Sequence, residues 1–223
     1  EVDDGRALPD LYALAYHDEV TDLPNFRSGL NKLQRELERA EKGESTVAVV
    51  VMDIESLRDL NVYLGHAITD EVLGRLSRLA KPLLGVKDLL VRGRDDEFWL
   101  ILITEARGPL GMKMSAEYAS DLLKRLYAAL QTPFELEDYR VSLSLASGLA
   151  CSQGRESAQD VIQMALLAVK NAKARGNQVS IKEVGSINSK PPSSWDGNGG
   201  NRALKLGASI SSLATSPRRP ITG

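Results

Sequence analysis

Apolar and polar positions follow short, regular rhythms up to about residue 184 and lose them afterwards. Leu30, Leu33 and Leu37 recur at helical spacing, so Phe26–Lys42 is predicted as an amphipathic helix stopping at Gly43. Thr46–Ile54 (TVAVVVMDI) is an unbroken, largely β-branched run, the pattern of a strand covered on both faces. Helices are predicted over Glu55–Leu64 and Asp70–Leu84. Leu89–Gly93 and Glu97–Ile103 read as two short strands separated only by Arg94-Asp95-Asp96, which makes them a hairpin. Ser115–Gln131 places Tyr118, Leu122, Leu126 and Ala129 on one helical face. Tyr139–Ala150 is strand-like, Ser157–Lys173 helical, and Gln178–Ile181 a closing strand. Before these, Leu8–His17 reads as a short helix and Asp22-Leu23-Pro24-Asn25 as a turn.

Strands alternating with helices predict an α/β (α+β) sandwich with one central sheet flanked by helices. The hairpin makes that sheet mixed. Three segments are expected: 1–13, a linker or the end of a signalling helix; 14–184, the folded domain; and 185–223, a low-complexity tail. The tail holds Lys190-Pro191-Pro192-Ser193-Ser194 and Asp196-Gly197-Asn198-Gly199-Gly200-Asn201, which bury too little apolar surface to offset their ordering entropy. It reads either as a solvated linker or as a segment that orders on a protein partner, with Leu204, Leu206, Ile210 and Leu213 as the anchor.

Composition narrows the function classes. Of 223 residues, 43% are apolar but only 5% aromatic, so aliphatic side chains must fill the core. The formal charge of −2 gives no general attraction to nucleic acid or anionic lipid. The single cysteine, Cys151, excludes an internal disulfide and suits a reducing compartment. No stretch approaches a membrane span, and no signal-peptide pattern is visible. A chain beginning at Glu1 reads as a fragment or a processed form.

Asp53 closes the buried strand, and Asp96 and Glu97 sit at the hairpin. If the hairpin flanks that strand, three carboxylates converge. Hard oxygen ligands of this kind suit Mg²⁺, which takes one or two carboxylates plus substrate phosphates. Such a site would serve phosphoryl transfer. The alternative is a strand-end turn acid and a charged hairpin tip. A strand ending in an acid beside an acidic hairpin is also the palm arrangement of nucleotidyl cyclases and polymerases.

Five motifs in order make the resemblance specific. Asp18-x-x-Thr21-Asp22-Leu23-Pro24-Asn25 is similar to Asp-x-Leu-Thr-Gly-Leu-x-Asn. Asp53-Ile54-Glu55-Ser56-Leu57-Arg58-Asp59-Leu60-Asn61 is similar to Asp-hydrophobe-Asp-x-Phe-Lys-x-x-Asn. Leu64-Gly65-His66-Ala67-Ile68-Thr69-Asp70 is similar to Gly-His-x-x-Gly-Asp. Arg92-Gly93-Arg94-Asp95-Asp96-Glu97-Phe98 falls where Arg-x-Gly-Gly-Asp-Glu-Phe belongs, and Ala172-Lys173-x-x-Gly176-Asn177 where Ala-Lys-x-x-Gly-Arg-Asn belongs. Over about residues 14–182 the chain resembles a GGDEF domain, the fold of the cyclic di-GMP synthases.

In that family two GTP-bound domains face each other, and each 3′-hydroxyl attacks the other nucleotide's α-phosphate. The resemblance therefore implies a GTP site and a homodimer. Asp53 and Asp96 fall on the metal-ligand positions, and Glu97 on the position that assists the hydroxyl. Asn61 and Asp70 fall where guanine is read. Lys173 and Arg58 fall on phosphate-binding lysines. Taken alone, Asp70 is equally a helix N-cap, and Lys173 a solvated lysine at a helix end.

The departures are as specific. Arg94 and Asp95 replace both hairpin glycines, which permit a φ > 0 turn and close approach to phosphate. A carboxylate about 5 Å from a phosphate charge costs roughly 3 kcal/mol at an effective dielectric of ~20. Arg94, at a hairpin tip, is expected to point to solvent. Glu55 replaces an aspartate, Leu57 a phenylalanine, Arg58 a lysine and Thr69 a glycine, and the arginine expected after Gly176 is missing. The inhibitory product site, Arg-x-x-Asp, reads Gly85-Val86-Lys87-Asp88, without its arginine. His17, His66 and Cys151 show no metal-ligand spacing.

Three functions follow. The leading one is a degenerate GGDEF domain with little or no cyclase activity, retaining Mg²⁺ and guanine-nucleotide binding and acting through protein contacts. The second is a working diguanylate cyclase. The third is an assembly subunit with no nucleotide role. Each places the chain in a bacterial cytoplasm or an organelle of bacterial descent.

Overall fold

The computed structural model describes residues 15–136, 139–175 and 179–183. Helix α1 (Phe26–Glu41) leads into strand β1 (Thr46–Ile54) and helix α2 (Leu57–Ala80), which ends in a 3₁₀ turn at Lys81–Leu83. Strands β2 (Leu89–Arg92) and β3 (Glu97–Thr104) form the hairpin. Helix α3 (Gly108–Ala129), a two-stranded ribbon of β4 (Phe134–Leu136) and β5 (Tyr139–Val141), strand β6 (Leu145–Ser152), helix α4 (Ala158–Ala174) and strand β7 (Val179–Glu183) complete the order.

The main sheet runs β2-β3-β1-β6-β7. The β2–β3, β3–β1 and β1–β6 pairs are antiparallel, and β6–β7 is parallel, so the sheet is mixed as the hairpin required. β1 lies at its centre, which explains its unbroken apolar sequence. Ala48, Val50, Met52 and Ile54 point into one core, shared with α2 and α3 through Val72, Leu76, Leu122 and Leu126. Val47, Val49 and Val51 point into the other, shared with α1 and α4 through Leu33, Leu37, Val161 and Ala165. Strand alternation sends successive residues to opposite faces, and helices cover both faces here.

Three elements differ from the sequence expectation. The predicted gap between the two helices of residues 55–84 is a single residue: Gly65, at φ 81° and ψ 170°, breaks α2, and helix resumes at once. Ile68 and Thr69 are buried there, so tertiary packing carries the helix through the stretch between the two predicted helices. Helix α3 begins at Gly108, seven residues before Ser115. Pro109 sits in its first turn, where a missing N–H costs nothing, so it starts the helix. The run Tyr139–Ala150 is two strands: β5 pairs with β4, and only β6 joins the main sheet. The small ribbon seals the α2/α3 core with Phe134, Leu136 and Val141.

The expected segments 1–13 and 185–223 lie outside the described residues, as do Gly176, Asn177 and all but residues 15–17 of the expected first helix.

Candidate functional site

The carboxylates meet at one edge of the sheet because of strand register. Asp53, near the end of β1, lies directly opposite Glu97, the first residue of β3. The Ile54 N–H donates to the Asp96 carbonyl at 3.1 Å, which ties the hairpin to β1 beside them. Burial pushes the Asp53 carboxyl above its ordinary value, and the like charges of Asp96 and Glu55 add to the rise. Glu97 is pushed up for the same reason, burial first, then Asp96 and Asp53. Trp99 Nε1–H donates to Glu97 Oε2 at 3.1 Å and holds that side chain.

Lys173 is not a solvated helix-end lysine. It reaches back from the last turn of α4, and its Nζ donates to Asp53 Oδ1 at 2.5 Å. The Asp53 side chain is 17% exposed, so the contact is only partly screened by water. Asp70 is not an N-cap either: it lies inside α2, past the Gly65 break, with its side chain exposed. Asn61, in the first half of α2, has a buried side-chain oxygen with no hydrogen-bond partner. Arg58 is exposed in the first turn of α2, which starts at the left-handed Ser56 (φ 59°).

The hairpin tip keeps the backbone conformation that glycine serves. Asp95 has φ 48°, a value aspartate tolerates better than most residues. Glu97 N–H donates to the Arg94 carbonyl at 2.8 Å and closes the turn. Arg94 is exposed at the tip, as expected, but its guanidinium lies over the Phe26 ring, 4.1 Å from its centroid. Phe26 in turn meets Trp99 edge-on at 5.0 Å.

Arg92 was read only as a motif letter, yet it holds the turn from inside. It is 8% exposed. Its Nη1 donates to the Glu97 carbonyl at 2.6 Å and its Nη2 to the Asp95 carbonyl. Burial weighs against its charge, offset by the surrounding Asp18, Asp96, Asp95 and Glu97. An arginine at the end of an apolar strand, two residues before an acidic turn, was the available signal. The N-terminal motif is structural as well: Arg92 N–H donates to the Pro24 carbonyl, Thr21 caps onto Asp18, and Asn25 caps α1.

Asp88, the surviving letter of the inhibitory motif, is taken up structurally. It accepts from Gly85 N–H, Ile103 N–H and the Tyr118 hydroxyl. Lys87 pairs with Glu105.

Two carboxylates and the Glu97 side chain thus gather at the edge, as the strand pairing required. Among the described residues, however, no trio of His, Cys, Asp or Glu forms a cage that could hold a metal unaided. Asp53 and Asp96 fit a hard cation that brings most of its shell as phosphate and water oxygens. Among the described residues no helix is long and apolar enough to cross a membrane.

A family model described as "Diguanylate cyclase, GGDEF domain" matches residues 15–179. Over 172 residues the chain is 27% identical to the bifunctional diguanylate cyclase/cyclic di-GMP phosphodiesterase MucR of Pseudomonas aeruginosa, covering 77% of this chain and 24% of that protein. It is 31% identical over 137 residues to the diguanylate cyclase TpbB of the same species, covering 61% of this chain and 30% of that protein. The chain therefore spans less than a third of the length of these relatives. The solved GGDEF domain of TpbB (YfiN) superimposes with a TM-score of 0.64 at 27% identity, covering 76% of this chain and 94% of that one.

Proposed function

This chain belongs to the GGDEF diguanylate cyclase family, and we propose that it is a degenerate member that binds guanine nucleotide weakly and turns it over little or not at all. Its output is regulatory, through protein contacts.

The observation that carries this reading is the charge at the hairpin tip. In a cyclase the tip receives the triphosphate. Here Asp95 holds the turn open in the left-handed conformation, so the route for the backbone survives. Its carboxylate stands where glycine would leave room, and the neighbouring Arg94 is engaged on Phe26 rather than turned toward a phosphate. Two negative groups would meet at about 5 Å, a penalty of roughly 3 kcal/mol at an effective dielectric of ~20, or about a hundredfold in affinity.

Nucleotide binding is weakened rather than abolished because the remaining groups suit it. Asn61 has a buried amide oxygen without a partner, which a guanine N–H would satisfy. Asp70, exposed on the next stretch of α2, is the proposed second contact. Lys173 sits on Asp53 at 2.5 Å and could exchange that carboxylate for a phosphate oxygen, with Arg58 as a further phosphate contact. Asp53 and Asp96 would hold Mg²⁺, whose chemistry is to draw phosphate oxygens together and neutralise their charge. Glu97, raised by burial, suits accepting the proton of the attacking 3′-hydroxyl.

The retention of Asp53, Asp96 and Glu97 supports a second reading, a working cyclase. Incubation with GTP and Mg²⁺ separates the two: cyclic di-GMP formed at ordinary cyclase turnover would overturn the degenerate reading. Calorimetry with a non-hydrolysable GTP analogue tests the binding claim, and absence of heat at millimolar nucleotide would leave only a structural role. Contacts through residues 186–223, and the pairing of two copies, belong to this proposal too.

A further inference from the structure

At the opposite end of β1 from Asp53 lies a cleft of about 180 Å³, lined by Ala40, Glu41, Gly43, Ser45, Arg107, Gly108, Gln153 and Arg155. Seven residue steps along β1 put it about 23 Å from the acidic edge. It is built by four different elements: the end of α1, the entry to β1, the start of α3 and the β6–α4 loop.

We propose that this cleft is a binding site for a small tetrahedral oxyanion, inorganic phosphate in the first instance. Three observations converge on it. Arg107 and Arg155, from two different elements, both line the cleft, and among the described residues neither guanidinium is in an ion pair with a carboxylate. Ser45 is 4% exposed, and its hydroxyl has no hydrogen-bond partner. A buried polar group without a partner costs about 1–3 kcal/mol, a cost that an oxyanion acceptor would remove. The first turn of α3 opens at Gly108, and its N-cap, Arg107, supplies no side-chain hydrogen bond. The N-terminus of a 22-residue helix therefore presents its positive end here without an internal acceptor.

The cleft is also preorganised. Gly154 has φ 91°, and a Cβ there would fall 2.1 Å from the Leu37 carbonyl and 2.3 Å from the Glu41 nitrogen. Only glycine lets the β6–α4 loop press against α1 in this way and carry Arg155 to the cleft. The last carbonyls of α1 are already engaged, since Gly43 N–H donates to Ala40 and Glu44 N–H to Arg39. Glu41 is the one carboxylate in the lining and opposes an anion, against two guanidinium groups. The volume favours a single phosphate group over a nucleotide, whose pockets begin near 300 Å³.

Amide chemical-shift titration of the full chain with inorganic phosphate, at fixed ionic strength and pH, tests the site. Saturable shifts are expected at Gly43, Gly108 and Gly154. Arg107→Gln and Arg155→Gln should each weaken binding about tenfold, the scale of one charge-assisted hydrogen bond. Glu41→Gln should strengthen it, a gain that no loss of folding could mimic. Non-saturable shifts, or equal affinity in the Arg107→Gln/Arg155→Gln double variant with its spectrum otherwise intact, would overturn the proposal.

Discussion

Replacing Asp95 by asparagine removes the tip carboxylate and little else. Asparagine tolerates the left-handed region as aspartate does, so the φ of 48° is kept and the turn closed by Glu97 N–H remains. Arg92 continues to hold the Asp95 carbonyl, a backbone contact the substitution leaves alone. In the proposed nucleotide complex, what changes is one negative charge about 5 Å from the phosphates, worth roughly 3 kcal/mol at an effective dielectric of ~20. Calorimetry with a non-hydrolysable GTP analogue and Mg²⁺ should find Asp95→Asn binding about a hundredfold more tightly than the native chain. Asp95→Gly should gain at least as much. The two differ mainly in stability, since glycine adopts positive φ freely but loses more entropy on folding. Salt provides an internal control, because a screened Coulomb penalty shrinks with ionic strength. If Asp95→Asn binds no better than the native chain, the charge argument fails, and the losses at Arg58 and beyond Gly176 dominate. Arg94→Gly in the same assay should leave affinity nearly unchanged. It should cost about 0.5–1 kcal/mol of stability, since the guanidinium it removes rests on an aromatic ring at the surface.

The other expectations are direct. Glu97 has its folded pKa raised above the ordinary 4.5, so the folded state binds its proton more tightly than the unfolded chain does. Stability must therefore fall as pH rises from about the ordinary value through the raised one. Glu97→Gln should stabilise the protein at neutral pH, with the gain vanishing in acid, as read from urea midpoints across that range. Arg92→Lys cannot reach both the Glu97 and Asp95 carbonyls from one planar fork. It should destabilise by about 1–3 kcal/mol in thermal or urea unfolding and loosen the hairpin's amide protection in hydrogen exchange. Gly148→Ala would place a methyl group 2.1 Å from the Ala165 carbonyl of α4. The helix would be forced off the sheet at a cost of about 1–3 kcal/mol or more, seen as a lowered melting temperature.

Much of this molecule was legible because its strands announce themselves. TVAVVVMDI could only be a central strand, and its bounds agree with the structure at both ends. Asp53 beside Glu97 followed from the hairpin once the flanking order was assumed. What escaped reading depended on contacts between distant segments. No local pattern shows that Lys173 reaches Asp53 across 120 residues of chain, or that Arg94 lies over a ring on α1. The helix read from Ser115 starts at Gly108 in the fold, with Pro109 in its first turn. Residues 65–69, left between two predicted helices, hold only a one-residue break at Gly65, and buried Ile68 and Thr69 are helical. The cleft at the far end of β1 is assembled from four elements and has no signature in any one of them.

The break in α2 has a mechanical consequence. Asn61 rides on the segment before Gly65 and Asp70 on the segment after it, so the pair proposed to read guanine sits on two arms of a hinge. Asp70 lies five residues beyond the pivot, about 7.5 Å along the helix axis at 1.5 Å per residue. A rotation of about 10° at Gly65 would swing it by about 1.3 Å, enough to make or lose a hydrogen bond whose tolerance is a few tenths of an ångström. The arm is not free to move. Ile68, Thr69 and Val72, on the segment just past the pivot, are buried, so core packing holds the arm against rotation. The spacing of the two reading groups is thereby set by core residues that would touch no nucleotide.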